Sequence, residues 1–189
     1  MKIYLATSNK HKLEEIALAL APYKIKVEML NVRKLEIQSK SIEEIATRAV
    51  ENLEVADSPI AVEDSGLFID ALNGFPGPYS HYVYETIGIK GVLKLLEEEA
   101  CRSATFVSVI ALKTPGEQVI LFKGETRGII AYEPKGTGGF GFDPVFIPEG
   151  STKTFAEMTA EEKNLFSHRG KAVKKMAEWI IGKTNFVSK

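Results

Sequence analysis

The sequence predicts a mixed α/β domain, and three features of its 189 residues carry that prediction. Short apolar runs alternate with helically spaced apolar stripes in the first half of the chain. Two β-branched runs follow, separated by Thr114-Pro115-Gly116-Glu117. The composition, 44% apolar and 26% charged, is that of an ordinary globular protein. A chain of this length buries roughly 70% of the surface its unfolded form exposes, enough for a core without staples. With no repeat, linker or low-complexity segment, one domain over residues 1–189 is expected.

Ile3 to Ala6 reads as a buried strand that breaks into the polar stretch Thr7 to Lys12. Leu13, Ile16, Ala17 and Leu20 then give a helix stopped by Pro22. Ile25, Val27 and Met29 alternate with polar residues, as in a half-buried strand. Ser41-Ile42-Glu43-Glu44 has capping-box spacing and opens a helix with Ile42, Ile45, Ala46, Ala49 and Leu53 inward. Ile60 to Val62 is a short strand expected to end at Glu63-Asp64-Ser65-Gly66. Val92, Leu93, Leu95 and Leu96 mark a middle helix, closed by a solvated Glu97-Glu98-Glu99 end. Ala104–Leu112 and Val119–Ile130 form a long hairpin, because Pro then Gly at the centre of Thr114–Glu117 is what a type II turn requires. Eight of the fifteen glycines fall between Gly116 and Gly150, which places tight turns or closely approached backbone there. Thr159-Ala160-Glu161-Glu162 is a second capping box, and Val173, Met176, Ala177 and Ile180 stripe the last helix.

Lys and Arg number 24 against 25 Asp and Glu, a net charge of −1. That balance argues against a nucleic-acid coat, which needs a basic excess, but leaves room for a small anionic ligand in a local basic patch. The single cysteine, Cys101, has no internal disulfide partner and reads as a buried or half-buried small hydrophobe. Ile3–Ala6 is too short for a signal-peptide core, and no run approaches the ~20 apolar residues of a membrane span. A cytoplasmic protein with no membrane partner is expected.

Four polar clusters stand where strands or turns are expected to end, the usual place for ligands in α/β proteins. Thr7-Ser8-Asn9-Lys10-His11-Lys12 suits a phosphate cradle at a helix start, and equally an N-cap with solvated lysines; it contains no glycine and is not a Walker loop. Glu36 and Asp64 suit Mg²⁺, which takes one or two carboxylates, waters and phosphate oxygens; each alone also reads as a salt-bridge partner or cap. Gly138-Gly139-Phe140-Gly141-Phe142-Asp143-Pro144 suits a stacking turn for a flat ligand, or a turn whose aromatics plug the core. Glu161 to Arg169 suits a second binding segment only if Ser167 breaks the helix, since Lys163 and His168 on one helix would point about 140° apart. Otherwise it is a solvated face with a lone histidine.

Taken together and in order, Thr7-Ser8-Asn9-x-x-Lys12, Glu63-Asp64-Ser65-Gly66-Leu67, Gly74-x-Pro76-Gly77-x-Tyr79-Ser80, Gly139-Phe140-Gly141-Phe142-Asp143-Pro144 and Glu161-Glu162-Lys163-Asn164-x-x-Ser167-His168-Arg169 resemble the inosine triphosphate pyrophosphatase family. That family hydrolyses inosine, deoxyinosine and xanthosine triphosphates (ITP, dITP, XTP) to the monophosphate and pyrophosphate. The resemblance implies a long mixed central sheet flanked by helices, with two lobes and the active-site cleft between them, in a homodimer. It implies triphosphate binding by Thr7, Ser8, Asn9, Lys10, His11 and Lys12, and Mg²⁺ on Glu36 and Asp64, with Asp64 also the proton acceptor. Ser65 would contact substrate; Phe140, Gly141, Phe142 and Asp143 would form the base turn, with Phe140 stacking; Lys163, His168 and Arg169 would complete the base site. The family usually carries a lysine where this chain has Ala49, next to Arg48.

The implied chemistry is in-line attack by water between the α and β phosphorus atoms, with Asp64 or adjacent Glu63 activating the water and Lys12 stabilising the leaving phosphates. Donors from Arg169 and the His168 region are expected to favour a keto oxygen at purine position 6 over the amino group of adenine. Two other classes remain: a purine-nucleotide binder without turnover, for which the carboxylate pair would be superfluous, and a septum-inhibitor-like nucleotide pyrophosphatase, against which Ser167-His168-Arg169 and Gly139-Phe140-Gly141 argue.

Overall fold

The computed structural model describes residues 1–54 and 57–187. The apolar run at the start forms β1 (Lys2–Ala6), and α1 (Lys10–Leu20) follows, capped by the Asn9 side chain, which accepts from the Lys12 N–H at 3.1 Å. A 3-10 turn containing Pro22 ends that helix, and β2 (Lys26–Leu30) returns parallel to β1. The Ser41 hydroxyl caps α2 (Ile42–Glu51), but only half of the expected capping box forms. Ser39 takes the other half: its hydroxyl accepts from the Ser41 N–H and donates to Glu44.

The sheet order is β2, β1, β3 (Ile60–Ile69), β5 (Ser103–Lys113), β6 (Ile120–Ile130) and β7 (Phe146–Pro148), with β4 (Pro76–Gly77) on the same edge of β3 as β1. Strands β1, β2 and β3 are parallel, as strands joined through α1 and α2 must be. β5 and β6 form the expected hairpin, with Gly116 at φ +75° and the Glu117 N–H donating to the Thr114 carbonyl. β4 and β7 are short antiparallel additions. The middle helix is two helices, α3 (Ser80–Thr86) and α4 (Gly88–Leu95), divided at Gly88 with φ +61°. Ser167 does break the last helical segment, between α5 (Ala160–Phe166) and α6 (His168–Val187), and its hydroxyl accepts from the Gly170 N–H.

Helices lie on both faces of the sheet. On one, Ile16 and Leu20 of α1 and Val173, Met176, Ala177 and Ile180 of α6 pack on Ile3, Leu5, Ala61 and Ile110. On the other, α2 packs Ile42, Ala46 and Ala49 against Ile60, Val62 and Val109. A separate cluster, with Val83 of α3 and Val92 of α4 around Leu67, Ile69, Phe106 and Phe146, occupies the far ends of the long strands. Strands β3 and β5 therefore cross from one lobe to the other.

Two sequence expectations fail for identifiable reasons. The strand from Ile60 does not end at Glu63 but runs to Ile69, because β5 pairs with it along its whole length, from Ile60↔Lys113 to Ile69↔Ala104. Cys101 is exposed, not buried. The extended chain entering β5 turns Arg102 inward, where its guanidinium donates to the carbonyls of Leu96, Ile130 and Ala131, so both neighbours, Cys101 and Ser103, face out.

Gly66 marks where β4 docks: a Cβ there would lie 2.3 Å from the Gly77 carbonyl oxygen. Gly66→Ala is expected to cost about 2 kcal/mol as an overpacking change, read as a lower urea midpoint at constant slope. A variant within about 0.5 kcal/mol of the parent, the range of an indifferent surface change, would show that β4 yields freely.

Candidate active site

The site is built on a gap in the sheet. On one edge of β3, β1 pairs only at Ile60 and Ala61, and β4 pairs only at Leu67 and Phe68. Among the described residues no strand covers that edge between them. Glu63, Asp64 and Ser65 occupy this stretch, which explains polar residues in the middle of a strand. The Gly74–Ser80 motif sets the lower border: the Ser80 hydroxyl donates to the Gly77 carbonyl and accepts from the Leu67 N–H. The upper border is the end of β1, where Thr7 turns the chain into α1 and its hydroxyl accepts from the Asn9 N–H at 3.1 Å.

Strand alternation separates the carboxylates. Glu63 and Ser65 share the face of Ala61, toward α1 and α6; Asp64 shares the face of Val62, toward α2. Glu63 is buried, receives the Ser108 hydroxyl at 2.6 Å and Arg169 Nε at 3.1 Å, and pairs with Lys12 Nζ at 2.9 Å. Burial alone would raise its carboxyl; the Arg169 and Lys12 charges more than offset this and hold it far below its ordinary value. Asp64 is half-buried and accepts from the Ser65 N–H at 2.9 Å. Burial raises the Asp64 carboxyl, with Lys12 pulling it down and the Glu63 charge pushing it up.

Arg169, fully buried at the start of α6, joins the two ends of the site. Its Nε donates to Glu63, Nη1 to Glu15 and Nη2 to the Ser65 hydroxyl. Glu15 also receives Lys163 Nζ at 2.6 Å, and Lys163 donates to Asp143 at 2.5 Å. Asp143 in turn accepts from the Phe140 N–H at 2.8 Å and so closes the 139–143 turn. Gly139, at φ +69°, leaves room for it: a Cβ there would sit 2.1 Å from Asp143 Oδ2. Three carboxylates thus meet three cations in one connected layer. Burial would raise Glu15 too, but Arg169 and Lys163 keep it below its ordinary value.

The two aromatic residues of the turn part company. Phe142 is buried in the core, edge-on to Tyr84 at 5.6 Å. Phe140 faces the cleft, stacked on His11 at 5.4 Å, with Lys163 Nζ 5.0 Å from its ring centroid. His168 is buried between Phe106 and Phe155, parallel to Phe106 at 4.6 Å, and its Nδ1 has no hydrogen-bond partner among the described residues. Burial and the Arg169 charge keep it neutral. Ser8, ahead of the Asn9 cap, is exposed, as are Lys10 and His11 on the first turn of α1, and Lys12 points inward. Glu36 stands on the exposed segment before α2, 3.9 Å from Lys34 Nζ. Arg48 is turned to Glu51 at 3.1 Å, and Ala49 is core.

Residues 3–179 match the Ham1 family. The chain belongs to the Ham1 family. Relatives include the dITP/XTP pyrophosphatase of Hyperthermus butylicus, 54% identical over 94% of both chains, and that of Pyrobaculum aerophilum, 51% identical over 98% of this chain and all of the other. The Ham1 protein of Staphylococcus aureus superposes with a TM-score of 0.83 at 29% identity, over 97% of this chain and all of that one.

Family membership leaves two corrections to the sequence reading of the site. Glu15 and Ser108 were missed, although Glu15 lies one turn after Lys12 on its inward face and Ser108 interrupts an apolar run opposite Ser65. Arg169 hydrogen-bonds protein oxygens through each of its three nitrogens, so at most two of its five N–H donors remain for the purine position 6 contact that was expected.

Glu63→Gln is expected to cost about 3 kcal/mol at neutral pH, as breaking a buried pair does. A carboxyl held low in the folded state stabilises fully above its ordinary value of 4.5 and loses that contribution as pH falls below it. The His168 ring, kept neutral, adds a loss that begins as pH falls below 6.5. Urea titrations should show stability declining from pH 6.5 and steepening below 4.5, with the steep part reduced in Glu63→Gln. Parallel curves for parent and variant would contradict this ionisation.

Proposed function

We propose that this chain hydrolyses the non-standard purine nucleoside triphosphates dITP, XTP and ITP to the monophosphate and pyrophosphate. The observation that carries the reading is the open edge of β3, where Glu63 pairs with Lys12 below the Asn9-capped start of α1 and Asp64 stands on the other face of the strand. The names of the relatives support it.

The purine would lie on Phe140 in place of the exposed His11 ring, with the phosphates running past Lys12 toward Ser8. Of the three donors of the Lys163 ammonium, Glu15 and Asp143 take two, and the third is left beside the Phe140 ring for a keto oxygen. Free N–H groups at the start of α1 would hold phosphate oxygens. Asp64, its carboxyl raised by burial, would accept the proton of the attacking water. A P–O bond of the α–β bridge breaks, water oxygen takes its place on phosphorus, and pyrophosphate leaves with its charge held by Lys12.

Among the described residues no three or more His, Cys, Asp or Glu are grouped to hold a metal. The available donors fit Mg²⁺ nonetheless, since it needs one or two hard carboxylates and keeps its waters. Asp64 and the exposed Glu36 would be its protein ligands, and the bound ion would neutralise phosphate charge. The reading includes a single domain over residues 1–189, a cytoplasmic setting and a homodimer. No helix among the described residues is long and apolar enough to cross a membrane.

With dITP and Mg²⁺, phosphorus NMR should show pyrophosphate and no orthophosphate; stepwise orthophosphate release would reject the reading. Asp64→Asn should lose at least about a hundredfold in kcat, the scale of a lost general base, while still binding the nucleotide. Turnover near that of the parent would make Asp64 structural. A protein that binds dITP without any turnover would be a nucleotide sensor instead. Phe140→Ala should weaken ITP, dITP and XTP by similar factors, because every purine offers a stacking face.

A further inference from the structure

The first turn of α1 sends two neighbouring side chains to different parts of the cleft. Lys12 turns inward and pairs with Glu63 at 2.9 Å. Successive helix residues point about 100° apart, and His11 is carried to the other side of that turn, where its ring lies on Phe140. The two rings stand 5.4 Å apart between centroids and within 14° of parallel. One ring comes from α1 and the other from the turn that Asp143 closes, so the stack joins the two sides of the cleft.

Among the described residues Phe140 has no other ring partner; Lys163 Nζ and Arg169 Cζ lie 5.0 and 5.4 Å from its centroid. His11 is weakly held. Its side chain is 62% exposed, and its ion-pair contact with Glu14, 3.9 Å from Nδ1, is beyond hydrogen-bond length. The helix beneath it is fixed, by the Asn9 cap before it and by the burial of Glu15 and Ile16 one turn on. A ligand can therefore shift the His11 ring without shifting α1.

A flat ring inserted between the two would need about 7 to 8 Å from one outer ring to the other, two carbon–carbon contacts in series. From the present stack that is an opening on the order of 2 Å, within the swing of one exposed side chain. We propose that the purine of the substrate enters this gap and that His11 covers the face of the base that Phe140 does not. This rests on the hydrolytic reading above and makes His11 a base-binding residue, leaving the phosphates to its neighbour Lys12. A slot closed on both faces favours the larger ring, because stabilisation by burial grows with area. His11 thus selects purines over pyrimidines, and it does not choose among purines, each of which offers a stacking face.

Deoxyinosine monophosphate carries the base without the leaving phosphates, and inorganic tripolyphosphate carries phosphates without a base. Calorimetric titration of each into the full chain in EDTA separates the two roles of the turn. His11→Ala should weaken deoxyinosine monophosphate about tenfold, the scale of one base–ring stack, and bind tripolyphosphate as the parent does. His11→Phe should recover most of the loss; His11→Lys, which restores charge without a ring, should not. With Mg²⁺, the ratio of kcat/KM for dITP over deoxyuridine triphosphate should fall in His11→Ala. Parental binding of deoxyinosine monophosphate by His11→Ala would overturn the proposal, and so would tighter binding, which would make His11 a plug that the base expels. An equal loss with tripolyphosphate, recovery by His11→Lys, no recovery by His11→Phe or an unchanged dITP preference would each overturn it too. The two readings fail separately: pyrophosphate release from dITP, with deoxyinosine monophosphate binding indifferent to His11→Ala, removes the slot alone. His11-dependent binding in a parent that releases no pyrophosphate removes the hydrolytic reading alone.

Discussion

The Arg169 guanidinium holds the site together. It is buried, and its donors reach β3 at Glu63 and Ser65 and α1 at Glu15, two elements far from it and from each other in the chain. Through Glu15 and Lys163 it also reaches Asp143 and the Phe140 turn in the other lobe. A buried cation without partners costs several kcal/mol, so these carboxylates are constrained to remain where they are. This chain of charges ties the Phe140 turn to α1.

That constraint works because the sheet leaves space for it. β1 stops early and β4 starts late, so β3 exposes one edge over the residues that carry charge, while β5 supports the other edge throughout. An unpaired edge inside a domain is a liability unless something fills it. Here the filling is polar: Lys12, Arg169 and, in the proposed reaction, a triphosphate. Asp64 and Glu63 are neighbours in sequence yet differ in surroundings, because strand alternation turns Glu63 toward the buried cations and Asp64 toward the α2 face of the sheet. The buried, strongly paired Glu63 stays ionised and structural; the half-buried Asp64, raised by burial and by Glu63 and lowered by Lys12, is the proton acceptor of the proposed reaction.

Much of the fold was legible because its signals are local. The hairpin turn, the Thr159 cap and the Ser167 break depend on a few adjacent residues, and all three form as expected. The length of β3 was not legible, since pairing with β5 overrides the polarity of Glu63–Ser65. Cys101 was misplaced because a lone apolar residue says little when its neighbour is an arginine that caps three carbonyls. The motifs come together around the open edge of β3, but their spacing does not say what each residue touches: Phe142 belongs to the core, Arg169 bonds three protein oxygens, and Glu15 supplies a link that no motif spacing announces.

The central claim is that the Arg169–Glu63 contact organises the site instead of merely filling it. A double-mutant cycle of Arg169→Met and Glu63→Gln, read on kcat/KM for dITP, tests it most directly. The account predicts a coupling of more than about 1 kcal/mol, within the range of residues sharing one charge network, with the double variant less impaired than the sum of the singles. Strict additivity in kcat/KM, with coupling confined to folding stability, would contradict it.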